Sequence, residues 1–168
     1  FHKIILPGVG HFDAGMRRLK ETGFDSGLVT SIKDHQSTIL GICLGMHLFC
    51  HRSDEGLLPG LGLIDAEVKK FNSNYIRTNI LKVPHMGWNT VAPTSSNSLL
   101  HFGNIEQRFY FVHSFKVVPN KPDIIIGESN YGGKFCSAYR QGNIIGLQFH
   151  PEKSHSFGLA LMKRFIEL

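Results

Sequence analysis

A cysteine between two glycines constrains the fold of this chain more than any other feature. The sequence Gly-Ile-Cys-Leu-Gly at 41–45 follows an apolar run at 38–42 and precedes a segment, 44–52, with apolar residues at helical spacing. A G-x-C-x-G sequence between a buried strand and a helix is the cysteine form of the nucleophile elbow, in which small neighbours allow a sharp turn. A lone cysteine in an apolar run is more simply a structural residue, but the glycines and the strand-to-helix context favour a nucleophile at Cys43. The helix that follows should favour the thiolate and leave the Leu44 amide free to donate to an oxyanion.

The pattern around this turn predicts an α/β fold. Apolar residues at 3–6 end at Pro7-Gly8, and helical spacing at 12–22 and 25–36 separates them from the run at 38–42. This β-α-β-α order is typical of a parallel sheet with helices on both faces. Further elements are strands at 63–71, 80–83, 109–115, 123–128, 135–140 and 143–149, and a final helix at 156–166. We therefore predict an α/β fold with a mixed sheet.

The chain has the organisation of a single domain over residues 1–168. It has no repeat, low-complexity tract or long polar linker, and its length suffices for one buried core. It enters a buried strand within its first residues, whereas a sheet of this kind would normally begin with a further βα unit. We therefore expect the sequence to be N-terminally incomplete.

Composition excludes several classes of function. Hydrophobic residues make up 42% and charged residues 18% of the chain, a globular profile in which no apolar run reaches the roughly 18 residues of a membrane span. With no signal peptide either, we expect a cytoplasmic protein with reduced cysteines. The net charge is +5, but the basic residues are scattered, which argues against a nucleic-acid footprint.

The best partner for a cysteine nucleophile lies near the end of the chain. An apolar strand runs into His150-Pro151-Glu152, and residues two apart on an extended chain point to the same side. Pro151 favours an extended conformation at His150, so Glu152 can orient the imidazole as the third group of a triad. Alone, the two residues could equally be a strand cap and the start of a helix.

The loop after the first strand superficially resembles a dinucleotide-binding glycine loop. Pro7-Gly8-Val9-Gly10 fails that test because Asp13 stands where G-x-G-x-x-G requires its third glycine. The alternative is a flexible segment whose backbone amides complete an oxyanion hole.

Three motifs in this order, PGVG at 7–10, GICLGM at 41–46 and QFHPEKS at 148–154, resemble the class I (triad-type) glutamine amidotransferases. Further segments at 60–64, 83–89 and 110–115 are similar to the glutaminase subunit of imidazole glycerol phosphate synthase, which acts in histidine biosynthesis. The resemblance implies a flavodoxin-like or Rossmann-like α/β sandwich with a mixed, mostly parallel sheet.

The resemblance also implies a chemistry. Cys43 would attack the carboxamide of glutamine to form a thioester, His150 would donate a proton to the leaving ammonia, and Glu152 would orient His150. The oxyanion would be held by the backbone at Gly8, Val9, Gly10 and Leu44. No cofactor is implied.

Substrate and partner contacts follow from the same resemblance. Glutamine would be held at Gly45, His47, His113, Ser114 and Phe115. Ammonia would pass to a (β/α)₈-barrel cyclase, the partner in a heterodimer, and the positions that face this partner are Trp88, Asn89 and Lys153.

One residue departs from the family pattern. The family usually carries a glutamine where this chain has His47, and histidine differs from glutamine in reach and charge. We expect weakened but present glutaminase activity. His47 and His51 have a spacing that can bind a metal, but without a third ligand we predict no metal site. His85 and His113 could simply be core histidines.

Three alternatives remain at this stage. The chain could be a paralogous subunit that supplies ammonia for amidination of a bacterial surface-polysaccharide sugar. It could be a stand-alone γ-glutamyl hydrolase that needs no partner. It could also be a non-catalytic binding subunit, against which the intact cysteine, histidine and glutamate argue.

Overall fold

The structure, a computed structural model, describes residues 2–34, 36–71, 81–94, 99–101, 103 and 105–168. The helices are α1 (Phe12–Thr22), α2 (Phe24–Lys33), α3 (Leu44–Leu48) and α4 (His155–Glu167). Single 3₁₀ turns span Pro122–Ile124 and Pro151–Lys153. The strands are β1 (Lys3–Gly8), β2 (Thr38–Cys43), β3 (Arg52–Ser53), β4 (Ala66–Lys70), β5 (His85–Thr90), β6 (Ala92–Pro93), β7 (Arg108–His113), β8 (Phe115–Pro119), β9 (Ile125–Asn130), β10 (Lys134–Gln141) and β11 (Ile144–Leu147).

The main sheet confirms the α/β fold with a mixed sheet. Its strand order is β1-β2-β11-β10-β8-β4-β3, with β9 paired to β10 and to β6. Parallel pairing is confined, among the described strands, to β1–β2, β2–β11 and β3–β4. The expectation of a mostly parallel sheet is therefore wrong in its proportions. Short connections join β9, β10 and β11 as successive hairpins, and a short hairpin can only pair its strands antiparallel.

Strand β2 is buried on both faces, as a central parallel strand should be. Ile39 packs into one apolar cluster with Phe12 and Met16 of α1, whereas its neighbour Leu40 packs into a second cluster with Leu161 of α4. Successive side chains of a strand point to opposite faces, so the helices cover the sheet from both sides, as predicted.

The helices begin where the sequence predicted and two of them end earlier. Helix α2 ends at Lys33 and α3 ends at Leu48. After α3 the carbonyls of Leu48 and Phe49 accept hydrogen bonds from the amides of Leu61 and Leu63, at 2.9 and 2.8 Å. A tertiary contact with a following loop thus replaces the bonds that a longer helix would make.

Two strand predictions need correction. Residues 81–83 are not a strand, and Ile80 lies outside the described residues. The strand in this region is β5, which begins at His85, two residues after the predicted strand ends. The predicted strand at 109–115 is two strands, β7 and β8, which separate at Ser114 and join different sheets, since β7 pairs with β5 in a two-stranded sheet and β8 belongs to the main sheet. The other predicted strands overlap β4, β9, β10 and β11.

Helix α4 holds the turn that carries Glu152. Gly158, in its first turns, lies against Pro151, and a Cβ atom added at Gly158 would stand 1.8 Å from the Pro151 carbonyl oxygen. Only glycine permits this approach. None of the described helices has the length and apolar character needed to cross a membrane.

We expect Gly158→Ala to destabilise the fold by about 1–3 kcal/mol, because the new methyl group must displace backbone atoms. The matched control is Gly27→Ala in α2, where an added Cβ atom meets nothing within 4 Å and should raise stability by about 0.4–1 kcal/mol. Urea unfolding followed by circular dichroism measures both. Equal unfolding midpoints for the two variants would contradict the close packing of α4 on this turn.

Candidate active site

Cys43 ends β2 in a strained conformation. Its φ of 53° and ψ of −109° lie in a region that non-glycine residues rarely occupy, at a cost of about 1–3 kcal/mol. The turn depends on Gly45, because a Cβ atom there would stand 1.9 Å from the Leu6 carbonyl oxygen of β1. The predicted elbow is therefore present, and the close packing of α3 on β1 explains its second glycine.

Parallel pairing brings the distant motifs to one edge of the sheet. Gly8 of β1 lies beside Cys43, and Leu147 of β11 lies beside Ile42. The segment after β11 therefore emerges next to Cys43 and leads directly to His150.

His150 and Glu152 form the pair that the sequence predicted. His150 Nδ1 lies 2.6 Å from Glu152 Oε1, with the imidazole buried and the carboxylate half-exposed. A carboxylate only accepts, so Nδ1 donates, and Nε2 of the neutral ring is left as an acceptor. Nε2 is buried without a hydrogen-bond partner among the described residues. It is thus available to take a proton.

The backbone around His150 is fixed by β7. The His150 amide donates to the Tyr110 carbonyl at 2.9 Å. Ser154 Oγ donates to the His150 carbonyl at 2.6 Å and accepts from the Tyr110 amide at 3.0 Å. These bonds fix the backbone at His150, while the contact with Glu152 orients the imidazole.

The Cys43 thiol is in its neutral form here. Burial raises its pKa to about 11, while the Leu44 amide acts in the opposite direction. The Leu44 amide favours the thiolate, as expected of the helix N-terminus, but desolvation of the buried sulfur has the larger effect. The thiol donates to the Val112 carbonyl at 3.8 Å and accepts from Gln148 Nε2 at 4.0 Å. No hydrogen bond joins Cys43 Sγ to His150 Nε2 within this part of the structure.

A cleft of about 330 Å³ opens onto Cys43. Its lining includes seven other residues that the sequence analysis selected, namely Val9, Gly10, Leu44, His47, His113, Ser114 and Phe115. Gly8 and Gly45 are not in the lining and instead pack strand against helix. The sequence analysis missed three lining residues, Glu55, Pro84 and Val112. Glu55 carries no motif, and its carboxylate accepts from the Phe12 amide at the start of α1, at 2.9 Å.

Two histidines fix the cleft wall at the break between β7 and β8. His113 Nδ1 lies 2.7 Å from the Phe115 carbonyl and must donate, so its Nε2 accepts from His85 Nδ1 at 2.8 Å. His85 Nε2 then accepts from Asn89 Nδ2 at 3.2 Å. Burial lowers the pKa of both imidazoles. Both histidines are buried, and His113 also lines the cleft.

His47 and His51 do not act together. Buried His47 contacts Gln148 Oε1 through Nε2 at 2.8 Å, whereas half-exposed His51 lies 3.4 Å from Asp65. Among the described residues, no group of three or more His, Cys, Asp or Glu side chains is placed to hold a metal ion.

The residues predicted to face a partner lie on the outer side of β5 and the 3₁₀ turn. Trp88 is 42% exposed and stacks on His155, with centroids 5.4 Å apart and an interplanar angle of 8°. Lys153 lies over the Tyr110 ring at 5.8 Å. Met86 lies on the same side of β5 and is 61% exposed. We call the surface formed by Met86, Trp88, Tyr110, Lys153 and His155 the Trp88 patch. The third predicted residue, Asn89, instead directs its amide at His85 and the Asn130 carbonyl.

A cysteine on a strand-to-helix turn and a histidine–carboxylate pair at the same sheet edge are typical of enzymes with a cysteine nucleophile. The family model for class-I glutamine amidotransferases matches residues 2–168. The chain belongs to the class-I glutamine amidotransferase family.

Individual relatives indicate a more specific similarity than the family model does. The chain is 47% identical to imidazole glycerol phosphate synthase subunit HisH 2 of Pseudomonas aeruginosa, over 99% of this chain and 80% of the relative. It is 45% identical to subunit HisH of Bdellovibrio bacteriovorus, over 99% and 81%.

Solved structures agree on the fold. A crystal structure of a glutamine amidotransferase superposes with a TM-score of 0.69 at 17% identity, covering 99% of this chain and 78% of the other. A glutamine amidotransferase from Thermotoga maritima gives a TM-score of 0.62 at 19% identity, covering 99% and 61%.

The buried imidazoles predict a loss of stability in acid. Burial lowers the pKa of His47 to about 4, while an unfolded histidine keeps a pKa of about 6.5. The unfolded chain therefore binds the proton first, so the stabilising contribution is intact above about pH 6.5 and is lost as the pH falls towards 4. We expect His47 to account for roughly 2–3 kcal/mol of the loss between about pH 7 and pH 4.5.

Urea unfolding at both pH values measures this loss. His47→Gln removes the titrating group, so its stability should fall less than that of the native protein by that amount. His51→Gln, at an exposed histidine, is the control and should follow the native protein. Parallel losses for all three proteins would contradict a buried neutral His47.

Proposed function

We propose that this chain hydrolyses glutamine to glutamate and ammonia as the glutaminase subunit of an imidazole glycerol phosphate synthase, in histidine biosynthesis. The observation that carries the chemistry is the pairing of buried His150 with Glu152, with Nδ1 bonded and Nε2 lacking a partner among the described residues, at the sheet edge where Cys43 ends β2. The similarity along 99% of the chain to two proteins named as subunits of that synthase supports the pathway.

The reaction begins with a proton transfer. Glutamine enters the cleft with its carboxamide carbon beside Cys43 Sγ, and the thiol proton passes to His150 Nε2. The thiolate attacks the carbon, and the oxygen of the tetrahedral intermediate accepts from the amides of Leu44 and Val9. Glu152 stabilises the imidazolium through Nδ1.

Release of ammonia and hydrolysis complete the cycle. The imidazolium donates its proton to the leaving nitrogen, the C–N bond breaks and a glutamyl thioester remains on Cys43. Water, deprotonated by His150, attacks the thioester, and the proton returns to the sulfur as glutamate leaves. Ser114 and Phe115, at the far wall of the cleft, hold the α-amino and α-carboxylate ends through their backbone.

The free chain is in a low-activity conformation. The thiol is protonated, it lacks a bond to Nε2, and the side chain of Val9 is 78% exposed. Rotation of the Gly8–Val9 peptide turns the Val9 amide towards Cys43, and a partner that binds this conformation better increases its population.

The partner is a (β/α)₈-barrel cyclase subunit that docks on the Trp88 patch. The patch presents aromatic and thioether groups, which are enriched at interfaces, with the cation of Lys153 beside them. Docking there also places the receiving enzyme next to the cleft, which keeps ammonia from bulk water.

Cys43→Ala removes the nucleophile, and we expect glutamate release to fall at least about a thousandfold because no thioester can form. Release from glutamine is measured with and without a barrel cyclase subunit. Cys136→Ala, at a buried cysteine outside the cleft, is the control and should retain activity. Substantial release by Cys43→Ala would refute the proposed mechanism, and no release by the native protein in either mixture would favour a non-catalytic subunit.

Trp88→Ala should weaken binding of the barrel subunit by about 2 kcal/mol, or roughly 30-fold in Kd, as expected of a central interface tryptophan. Titration calorimetry measures the affinity. Phe24→Ala, at a phenylalanine of α2 that is 65% exposed, is the control and should bind normally. An unchanged Kd for Trp88→Ala would remove the Trp88 patch from the interface.

A further inference from the structure

A chain of buried polar side chains leads from α3 to the nucleophile. His47 Nε2 lies 2.8 Å from Gln148 Oε1, and Gln148 Nε2 lies 4.0 Å from Cys43 Sγ. Gln148 is fully buried and His47 is 5% exposed. The parallel pairing of Leu147 with Ile42 sets this contact, because it brings the residue after β11 next to the residue after Ile42.

The two ends of the Gln148 carboxamide have opposite effects on the sulfur. Its NH₂ group can only donate and its oxygen can only accept. A thiolate therefore requires the NH₂ group, whereas a rotated amide would direct a repulsive oxygen at the negative charge. The thiol form has the same preference here, since its own proton is already donated to the Val112 carbonyl.

The orientation of the amide depends in turn on its other end. With NH₂ towards sulfur, Oε1 faces His47 and needs a donor, which a neutral imidazole supplies when its proton is on Nε2. Burial keeps His47 neutral by lowering its pKa. The other titratable groups that line the cleft with His47 are Cys43, Glu55 and His113, and burial lowers the pKa of His113 as well.

The charged and polar groups around Cys43 affect the pKa of its thiol independently of the His47–Gln148 contact. Glu152 and Glu55 raise the pKa of the thiol, while Lys153 and the Leu44 amide lower it. His150 faces the same edge through its unpaired Nε2. The Gln148 amide differs from these groups because its contribution changes sign when it rotates.

We propose that His47 and Gln148 are positioning residues for the nucleophile: the Nε2–H of His47 fixes the Gln148 carboxamide so that its NH₂ group donates to Cys43 Sγ and stabilises the attacking thiolate. This deepens the proposed function, since it rests on Cys43 as the nucleophile. It also gives the residue that departs from the family pattern a role at the sulfur, not at the substrate alone.

Alkylation of Cys43 by iodoacetamide tests the proposal without glutamine or a partner. Only the thiolate reacts, so the rate at a fixed pH below the thiol pKa reports the thiolate fraction, and mass spectrometry of the Cys43 peptide separates it from Cys50 and Cys136. His47→Phe removes the donor and should slow alkylation about tenfold, the equivalent of one pH unit in the Cys43 pKa. His47→Gln restores a donor and should react within about twofold of the native rate.

A double-variant cycle shows whether His47 acts through Gln148. Gln148→Leu should slow alkylation about as much as His47→Phe, and the double variant should be no slower than Gln148→Leu alone. A native rate for His47→Phe, or a further tenfold slowing in the double variant, would overturn the proposal. Melting temperatures establish that each variant is folded, and His47→Met replaces His47→Phe if the latter is not.

The native protein offers a measurement that needs no variant. Nitrogen NMR of protein labelled in histidine distinguishes protonated from bare ring nitrogens, and His47 should carry its proton on Nε2. A proton on Nδ1 alone would overturn the proposal. If Cys43→Ala keeps its glutaminase activity, the proposed function fails while the alkylation result still stands, so the two failures are distinguishable.

Discussion

The parallel register of β1, β2 and β11 determines where every part of the site lies. Gly8, Cys43 and Gln148 belong to three separate motifs, the last more than a hundred residues after the second, yet they lie at one edge because neighbouring parallel strands direct their carboxyl ends the same way. A slip of one residue in β11 would turn Gln148 away from the sulfur and change the face on which His150 emerges. The double burial of β2, with Ile39 in one cluster and Leu40 in the other, specifies this register energetically.

Burial has a second consequence, which is that the residues around the cleft rest in their neutral forms. Desolvation raises the pKa of Cys43 and lowers those of His47, His85 and His113. Their donors and acceptors are then satisfied in directed chains, while His150 Nε2 is left without a partner. Separating charge into thiolate and imidazolium is unfavourable in such surroundings unless bound groups compensate it. The same low dielectric strengthens each hydrogen bond to the charges once they form.

Much of this arrangement could be predicted from the sequence because it is local. The elbow at Cys43 and the spacing of His150 and Glu152 each depend on a short contiguous segment. The β-α-β-α order of the first third predicts the parallel strands. Contacts between distant segments could not be predicted. Glu55 carries no motif, and the contact of Gln148 with His47 depends on the pairing of β11 with β2. The share of antiparallel pairing could not be predicted from the β-α-β-α pattern, because it arises from the short turns that join β9, β10 and β11. The burial that raises the pKa of Cys43 could not be predicted either, because it depends on segments distant from the five-residue motif.

Strand β5 connects the outer surface to the cleft wall. Its residues alternate in the manner of any strand: Met86 and Trp88 are exposed in the Trp88 patch, while His85 and Asn89 bond inward to each other and to His113. His113 in turn donates to the Phe115 carbonyl at the break between β7 and β8. A displacement of β5 by a docked protein therefore cannot leave the cleft wall unchanged, because hydrogen bonds of 2.7 to 3.2 Å through two buried imidazoles join Asn89 to the Phe115 carbonyl. Leaving any one of them unmade would cost the desolvation penalty of a buried polar group, about 1–3 kcal/mol. The wall thus moves together with β5 or the displacement is resisted, and in both cases the two surfaces are energetically coupled.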